Sequence, residues 1–289
     1  MKYKKFISLL LVLALGLCGC GAQRTAAAQD TIVCTTGQLA EMTRRVIADT
    51  ALEQELEVSC VVTEPVSCLH DYTLSVRQMQ LLERSAVTIT VGLGLEDFMQ
   101  QALRASNGAQ IVASDGVEAL PSDEEPGESD PHIWLSPAAC AQMARNIADG
   151  LAALYPADAA RLRENAAGYA AEMDALLEYG NTALAGLSCR ELVTFHDGFS
   201  YFAAAFGLTI AAAMEIEAGS EPSAKELEAV VDIVRADGIP AVFAEKSGTD
   251  DAAKLVARET GAAVYTLDMG LSGGEAIRHN IDTIKEALQ

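Results

Sequence analysis

The chain has 289 residues, 50% of them hydrophobic, and a formal net charge of -21 at pH 7. The apolar fraction is sufficient for a large buried core, which excludes a disordered chain. The acidic charge makes nucleic acid and anionic lipid surfaces poor partners, whereas a cation suits it.

The first residues have the features of an export leader. Three lysines precede a short apolar run, and the run ends in "LCGC", where a small residue comes just before Cys20. This pattern is typical of bacterial lipoproteins and predicts a signal peptide over residues 1–20, with Cys20 as the lipidated residue. Residues 21–30 are small and polar and are expected to form a tether. Because no later apolar run is long enough to cross a bilayer, we expect an extracytoplasmic protein attached to the cell membrane through its lipid anchor only.

The chain then alternates strand-like and helix-like segments. Short β-branched runs are found in "TIVCTT", "LEVSCVVT", "AVTITVG" and "AQIVAS", with amphipathic segments between them. Two helix starts are marked by capping-box spacing, at Thr35 and Gln38 and at Ser75 and Gln78. Because parallel strands need helical crossovers, this alternation predicts an N-terminal α/β lobe with a parallel sheet over residues 31–156.

Helical sequence dominates the middle of the chain. After an acidic loop, Ser136 is placed to cap a helix that has Pro137 at its first position. Residues 157–187 are rich in Ala, Leu and Glu and predict one long linking helix. At about 1.5 Å per residue such a helix spans a whole domain, so we interpret it as a rigid spine between two lobes.

The second half of the chain repeats the pattern of the first. Its strand-like runs are "ELVTF", "LTIAAAME", "IPAVFAE" and "AAVYTLD". Ser223 and Glu226 have capping-box spacing, and Gly261 is placed to end a helix. These features predict a C-terminal α/β lobe over residues 188–289. The fold class is therefore α/β, with two parallel-sheet lobes joined by one long spine helix.

Three of the four histidines lie in loops where an α/β protein forms its ligand sites. His70 and His196 each follow a predicted strand, Asp268 ends another strand, and His132 comes from the acidic loop just before a helix. Ligands bind at the carboxyl ends of parallel strands, and imidazoles with one carboxylate suit zinc and tolerate manganese or ferrous iron. From these positions alone, a metal site and a set of unrelated polar residues are about equally supported. His279 lies inside the last amphipathic helix and is expected to have no ligand role.

The segments around these residues resemble the signatures of one family. "CLHDYTLSVRQ", "DPHIWLSP", "FHDGFSYFAAAFGL" and "LDMGLSGG" are similar to segments of the cluster A-I metal-binding lipoproteins, the zinc and manganese solute-binding proteins of ABC importers. The resemblance covers nearly the whole mature chain. It implies that His70, His132 and His196 are metal ligands between the two lobes, and that Asp268 is the fourth ligand, as in some members. Glu245 matches a family glutamate and is expected to orient a ligating histidine; a solvent-exposed acid at a strand end is the alternative.

The resemblance also implies a function. The protein is expected to capture a divalent metal outside the cell membrane and to deliver it, as a monomer, to an ABC permease driven by its ATPase. Zn²⁺ is favoured because the third ligand position holds His196 and not a glutamate, and manganese or ferrous iron is the alternative. A secreted zinc hydrolase is a further alternative, because three histidines with an open fourth position also form a catalytic site. We expect that the protein is not an enzyme, because the sequence has neither the HExxH nor the GxSxG motif.

Some residues depart from the family pattern or leave a choice open. The loop around His70 lacks the acid and the prolines that are usual there, and an acidic loop replaces the histidine-rich insertion of many zinc-binding members. Cys68 lies two residues before His70, and its thiolate is an alternative zinc ligand. Cys34 and Cys60 fall in strand-like runs and are expected to be buried free thiols.

Overall fold

The computed structural model describes residues 30–63, 72–122, 127–214, 222–246, 248–270 and 273–289. Within these ranges, strands and helices alternate along the chain and form two four-stranded sheets in which all neighbouring strands are parallel. None of the helices in these ranges has both the length and the apolar character needed to cross a membrane.

The first sheet has the strand order β2-β1-β3-β4. Its strands are β1 (Thr31–Cys34), β2 (Glu57–Cys60), β3 (Val87–Thr90) and β4 (Ala109–Val112). The helices of this part are α1 (Gly37–Ile47), α2 (Ala51–Glu55), α3 (Val76–Glu83) and α4 (Gln100–Ala105), the last preceded by a 3₁₀ turn (Asp97–Met99). Chain connections leave β1 and β3 toward opposite sides, which opens a crevice between the carboxyl ends of these two strands.

Two long helices connect the sheets. They are α5 (Pro137–Leu154) and α6 (Ala159–Ala183), and a 3₁₀ turn (Ile133–Leu135) precedes α5. The helices pack along each other, and α6 also contacts helices that belong to each sheet. The linking helix predicted over residues 157–187 is present as α6, which has 25 residues and is shorter at both ends than predicted. The lobe boundaries around this helix stay a prediction.

The second sheet repeats the arrangement of the first, with the order β6-β5-β7-β8. Its strands are β5 (Glu191–Thr194), β6 (Thr209–Ala213), β7 (Ala241–Glu245) and β8 (Ala263–Leu267). Its helices are α7 (Ser200–Phe206), α8 (Ala224–Asp237), α9 (Asp251–Thr260) and α10 (Gly274–Leu288). Every predicted strand is present, and the predicted fold class, two parallel α/β sheets with helices, is confirmed.

The buried core joins the two sheets to the long helices. One cluster of buried side chains extends from Ile32 in β1, through Leu151 in α5 and Met173 in α6, to Phe243 in β7. Separate smaller clusters cover the other face of each sheet, one around Val33 and one around Val242. Because the interior cluster includes residues from both sheets and both long helices, the sheets are held at a defined separation on one continuous core.

Local signals placed most helix starts correctly. Side-chain and backbone hydrogen bonds of a capping box are present at Ser75 with Gln78 and at Ser223 with Glu226. Ser136 accepts a hydrogen bond from the Ala139 N–H, with proline at the first helical position. At Gly261 the backbone is left-handed (φ 82°) and ends α9, as predicted.

The capping box predicted at Thr35 and Gln38 was wrong. The N-cap of α1 is Thr36, which makes no side-chain capping bond. The hydroxyl of Thr35 donates instead to Oε1 of Glu96 at 2.7 Å, a buried bond to a residue 61 positions away. A buried carboxylate is a stronger acceptor than the groups of a local cap, so the tertiary contact determines where this hydroxyl points.

Candidate metal centre

Two of the predicted ligands, His132 and His196, meet between the two sheets. His132 lies just before the 3₁₀ turn that leads into α5, after the chain has left the first sheet. His196 lies two residues after β5, in the crevice where the strand order of the second sheet reverses. Their ring centroids are 5.3 Å apart, with the ring planes at 86°. The fold therefore brings together two imidazoles that are 64 residues apart in the chain.

The orientation of His132 is fixed by Asp130. The carboxylate oxygen Oδ1 of Asp130 lies 2.8 Å from His132 Nδ1 and also 2.8 Å from the His132 backbone nitrogen. Because an ionised carboxylate only accepts hydrogen bonds, Nδ1 carries a proton in this arrangement, and Nε2 keeps its lone pair. Carboxylates commonly hold ligating histidines in this way. The side chains of His132 and Asp130 are 16% and 6% exposed, so little water competes for the bond.

A carboxylate that the sequence did not single out completes a possible ligand set. His132, His196 and Asp197 each offer one ligand atom, and these atoms all lie within 4.8 Å of one another. Nε2 of His196 lies 3.8 Å from Oδ1 of Asp197. Zinc binds nitrogen and oxygen ligands at about 2.0–2.2 Å, so small side-chain movements would gather these atoms around one ion.

Close packing around the histidines depends on Gly198. A Cβ atom at this position would lie 2.9 Å from Cδ2 of His132 and would also overlap the end of the Met269 side chain. Real Cβ atoms do not approach other atoms this closely, so a larger residue would push the two parts of the candidate centre apart. The glycine of "FHDGF" is therefore required by the approach of His132.

Hydrogen bonds across the cleft hold the two parts together. The indole Nε1–H of Trp134 donates to the carbonyl of Met269 at 2.7 Å, a bond between residues 135 positions apart. The hydroxyl of Tyr201 in α7 donates to the carbonyl of Asp130 at 2.8 Å and accepts from the backbone N–H of Leu120 at 2.8 Å. Asp130 and Trp134, which precede and follow His132 in the chain, are thus both hydrogen-bonded to the C-terminal half of the molecule.

Asp268, the predicted fourth ligand, lies at the same edge of the second sheet as His196, but its carboxylate contacts other residues. It follows β8 directly and is buried. Its Oδ2 lies 3.1 Å from Nζ of Lys246, and its Oδ1 accepts from the backbone N–H of Gly270 at 2.9 Å. Asp268 is not in the cluster of potential ligands formed by the described residues. Glu245 ends β7 beside it and is buried, which argues against the solvent-exposed alternative for this acid.

Three predicted residues lie outside the described ranges: His70, the alternative ligand Cys68, and the lipidation residue Cys20. Their roles stay predictions. His279 is an exposed residue of α10 and is not in the cluster of potential ligands formed by the described residues. Cys34 is a buried free thiol as expected, and burial raises its pKa to about 12. Cys60 is free but only partly buried.

The model of one protein family, described as zinc-uptake complex component A, periplasmic, matches residues 32–287. The chain belongs to this family. The match covers both sheets and the helices between them, and it confirms the resemblance that the sequence motifs indicated. As a member, the chain is a metal-binding, substrate-binding component of an ABC transporter.

Relatives of this family differ in the metal that they are named for. A manganese-binding lipoprotein MntA of Halalkalibacterium halodurans is 27% identical over 308 residues, covering 100% of this chain and 99% of that protein. A zinc-binding lipoprotein AdcA of Streptococcus pneumoniae is 28% identical and covers 91% of this chain but 55% of its own length. An iron-binding protein YfeA of Yersinia pestis is 30% identical over 70% of this chain. All three are named as binding proteins.

Solved structures agree with the fold. A zinc-bound ZnuA with residues 138–173 deleted has a TM-score of 0.79 at 27% identity, covering 90% of this chain and 98% of that one. A manganese-bound periplasmic metal-binding protein from Candidatus Liberibacter asiaticus has the same TM-score at 21% identity, which supports the fold alone.

Sequence reasoning missed three residues that contact the predicted ligands. Asp130 and Asp197 stand inside the motifs "DPHIWLSP" and "FHDGF", two residues before one histidine and one residue after the other. An acid so close to a candidate ligand was a readable signal, because ligating imidazoles commonly have carboxylate partners. Lys246 carried no such signal, since its contact with Asp268 exists only in the folded sheet.

Proposed function

We propose that this protein captures zinc in the cleft between its two sheets and delivers it to the permease of an ABC importer. The observation that supports this proposal most directly is the approach of His132 and His196 to each other and to Asp197, with their ligand atoms within 4.8 Å. Two imidazoles and a carboxylate, of which His196 is buried and the other two partly buried, form a site that suits a divalent transition metal.

The proposed ligands are the three histidines of the sequence motifs together with one carboxylate. Nε2 of His132 is available because Nδ1 is bound to Asp130. His196 supplies the second imidazole, and His70, which follows β2 in the sequence, supplies the third. Asp268 is the proposed fourth ligand, and Glu245 is proposed to orient one of the histidines. Each imidazole binds metal in its neutral form, so binding releases protons wherever a histidine was charged.

The choice of zinc rests on the chemistry of these donors. Imidazole nitrogens suit zinc well, and zinc stands above manganese and ferrous iron in the general order of affinity for such sites. Manganese is the second candidate, because Asp197 and Asp268 are hard oxygen donors and because the relative MntA, named as manganese-binding, matches the whole chain. A zinc hydrolase is the less favoured alternative, since the named relatives are binding proteins.

The proposed location follows from the leader. Cys20 is proposed to carry the lipid that anchors the protein on the outer side of the cell membrane, with residues 21–30 as the tether. In that position a monomer can take metal from the surroundings and present it to the permease, whose ATPase supplies the energy. Relatives such as FimA of Streptococcus parasanguinis are named as substrate-binding lipoproteins of metal ABC transporters.

Metal titration of purified protein tests this proposal. The full chain is purified in detergent, stripped with a chelator and titrated with zinc and with manganese by calorimetry in the presence of a competing chelator. We expect one tight zinc site per chain. His196→Ala should weaken zinc binding by at least about 100-fold, because it removes a ligand and not merely an outer partner.

His279→Ala is the matched control, because His279 is an exposed histidine of α10 with no proposed role. It should bind zinc like the wild type. If manganese binds tightly and zinc binds weakly, the metal that the protein captures is manganese and not zinc. If neither metal binds tightly to the wild type, the proposed capture function is refuted.

A further inference from the structure

The carboxylate of Asp268 is held by two partners, one fixed and one movable. Oδ1 accepts the backbone N–H of Gly270 at 2.9 Å, while Oδ2 contacts the ammonium of Lys246 at 3.1 Å. The backbone of Asp268 is itself fixed by Asn280 of α10, whose amide accepts from its N–H and donates to its carbonyl, both at 2.8 Å. Asp268 therefore keeps one orientation whether or not the lysine is present.

The lysine is the movable member of this pair. Its side chain is 66% exposed, whereas the side chain of Asp268 is 10% exposed. An ion pair made by a long, exposed lysine contributes little to stability, because water and salt screen it and the side chain loses entropy. The ammonium can therefore leave Asp268 for solvent without disturbing the fold.

The pair lies beside the candidate metal centre. Lys246 and Asp268 directly follow β7 and β8, which are paired in register up to Glu245 and Leu267. The next residue after Asp268 is Met269, whose carbonyl accepts the hydrogen bond from Trp134. The carboxylate thus lies at the sheet edge that faces the loop of His132.

We propose that Lys246 determines the metal preference of this site by acting as a built-in counter-ion of Asp268. This inference rests on the proposed function. The ammonium partly neutralises Oδ2, so an incoming metal competes with the lysine for this oxygen. The charged side chain of Lys246 thereby competes with the metal ion for Oδ2 of Asp268, a hard oxygen donor.

The competition affects the two candidate metals unequally. Zinc binds well to imidazole nitrogen, so the histidines supply most of its affinity and the competition of Lys246 for Asp268 costs zinc less. Manganese prefers carboxylate, carbonyl and water oxygens, so it depends more on Asp268. Lys246 therefore disfavours manganese more than zinc. Metal specificity then comes from a side chain that weakens manganese binding as well as from the histidines that favour zinc.

The test replaces the charge and keeps the length of the side chain. Full-length Lys246→Met protein is titrated with zinc and with manganese as described above. We expect manganese affinity to rise by about two- to fivefold, the most that removal of an exposed ion pair can contribute, and zinc affinity to rise by clearly less. Lys254→Met is the matched control, because Lys254 also pairs with a carboxylate, that of Asp250 at 2.7 Å, but on the exposed surface of α9. It should change neither affinity.

A second comparison shows whether Lys246 acts through Asp268. In a protein that already carries Asp268→Asn, the additional Lys246→Met change should no longer raise manganese affinity, since the two residues would be energetically coupled. Equal gains in affinity for zinc and manganese, or a gain that persists in the Asp268→Asn background, would show that Lys246 acts only through its overall positive charge. Either result would overturn the inference. No change for either metal would overturn it too. These results leave the proposed function intact, whereas a wild type that binds no metal refutes both.

Discussion

At the scale of single residues, the candidate centre is defined by how side chains next to the histidines restrict them. Asp130 selects the tautomer of His132, and Lys246 occupies an oxygen of Asp268. Gly198 leaves room for the His132 ring. None of these neighbours is a predicted ligand, but each one affects whether the donor atom of a proposed ligand is free, correctly protonated or able to approach.

Removal of the Asp130 carboxylate should weaken metal binding without unfolding the protein. Asp130→Ala deletes the acceptor of His132 Nδ1, so the imidazole loses its fixed orientation and tautomer. Such changes cost about 10–100-fold in metal affinity. Calorimetric titration with zinc measures the loss. Asp149→Ala is the control, since Asp149 pairs with Arg163 on the exposed surface; an equal loss in that variant would contradict the role given to Asp130.

At the scale of elements, the carboxylate of Glu96 joins the ends of two strands in the first sheet. Oε1 accepts from the hydroxyl of Thr35 and from the Val91 N–H, both at 2.7 Å, and Oε2 accepts from the Gly92 N–H at 2.9 Å. These donors lie just past the carboxyl ends of β1 and β3, where the strand order reverses. Burial raises the pKa of the Glu96 carboxyl above its ordinary value of 4.5, against the opposing effect of the three donors.

Glu96→Ala should therefore destabilise the first sheet. The change leaves buried donors without an acceptor, and we expect the free energy of unfolding to fall by about 2 kcal/mol. Urea unfolding measures this loss. Glu83→Ala, at an exposed position of α3, is the control and should have almost no effect.

The same variant has a pH dependence with a defined sign. Because the pKa of Glu96 is raised by folding, the folded protein binds this proton more tightly than the unfolded protein does. The stability that Glu96 contributes is therefore largest below 4.5 and decreases as pH rises toward the raised value. The difference between wild type and Glu96→Ala should be larger at about pH 5 than at about pH 7. A difference that grows with pH would contradict the direction of the shift.

At the scale of the whole molecule, the two sheets are positioned by a shared core and by a few hydrogen bonds across the cleft. The interior cluster includes residues of both sheets and of both long helices. At the cleft, Trp134 reaches the chain after β8 and Tyr201 of α7 reaches the loop of His132. The loops of His132 and His196 are therefore held in fixed positions relative to each other.

Trp134 should report this response. It is the single tryptophan of the sequence, it is buried, and its ring centroid is 5.2 Å from that of His132. Metal binding at His132 changes the charge and hydrogen bonding next to the indole, so the tryptophan emission should change and saturate at one zinc per chain. Fluorescence titration of the stripped protein measures it. His196→Ala should lose the saturating signal, and tight calorimetric binding without any change in emission would place the metal elsewhere.

Local sequence patterns determined the fold class and much of the helix and strand layout. The eight strands and the capping boxes of α3 and α8 could be predicted because they depend on residues close together in the chain. The same reasoning put His132 and His196 at loops near strand or helix ends, and the motifs around them indicated the family. The failure at Thr35 has the complementary cause: its hydroxyl bonds to Glu96, 61 residues away, and no local pattern carries that information.

Only the tertiary structure decided which of the predicted residues meet. The approach of His132 to His196, the bond from Trp134 to Met269 and the pairing of Lys246 with Asp268 join positions that are 22 to 135 residues apart. Such contacts depend on how two sheets are placed on their shared helices, and this placement results from the packing of the entire core. The sequence by itself thus determined the elements and the set of possible metal ligands, and the packed fold decided their distances, partners and charges.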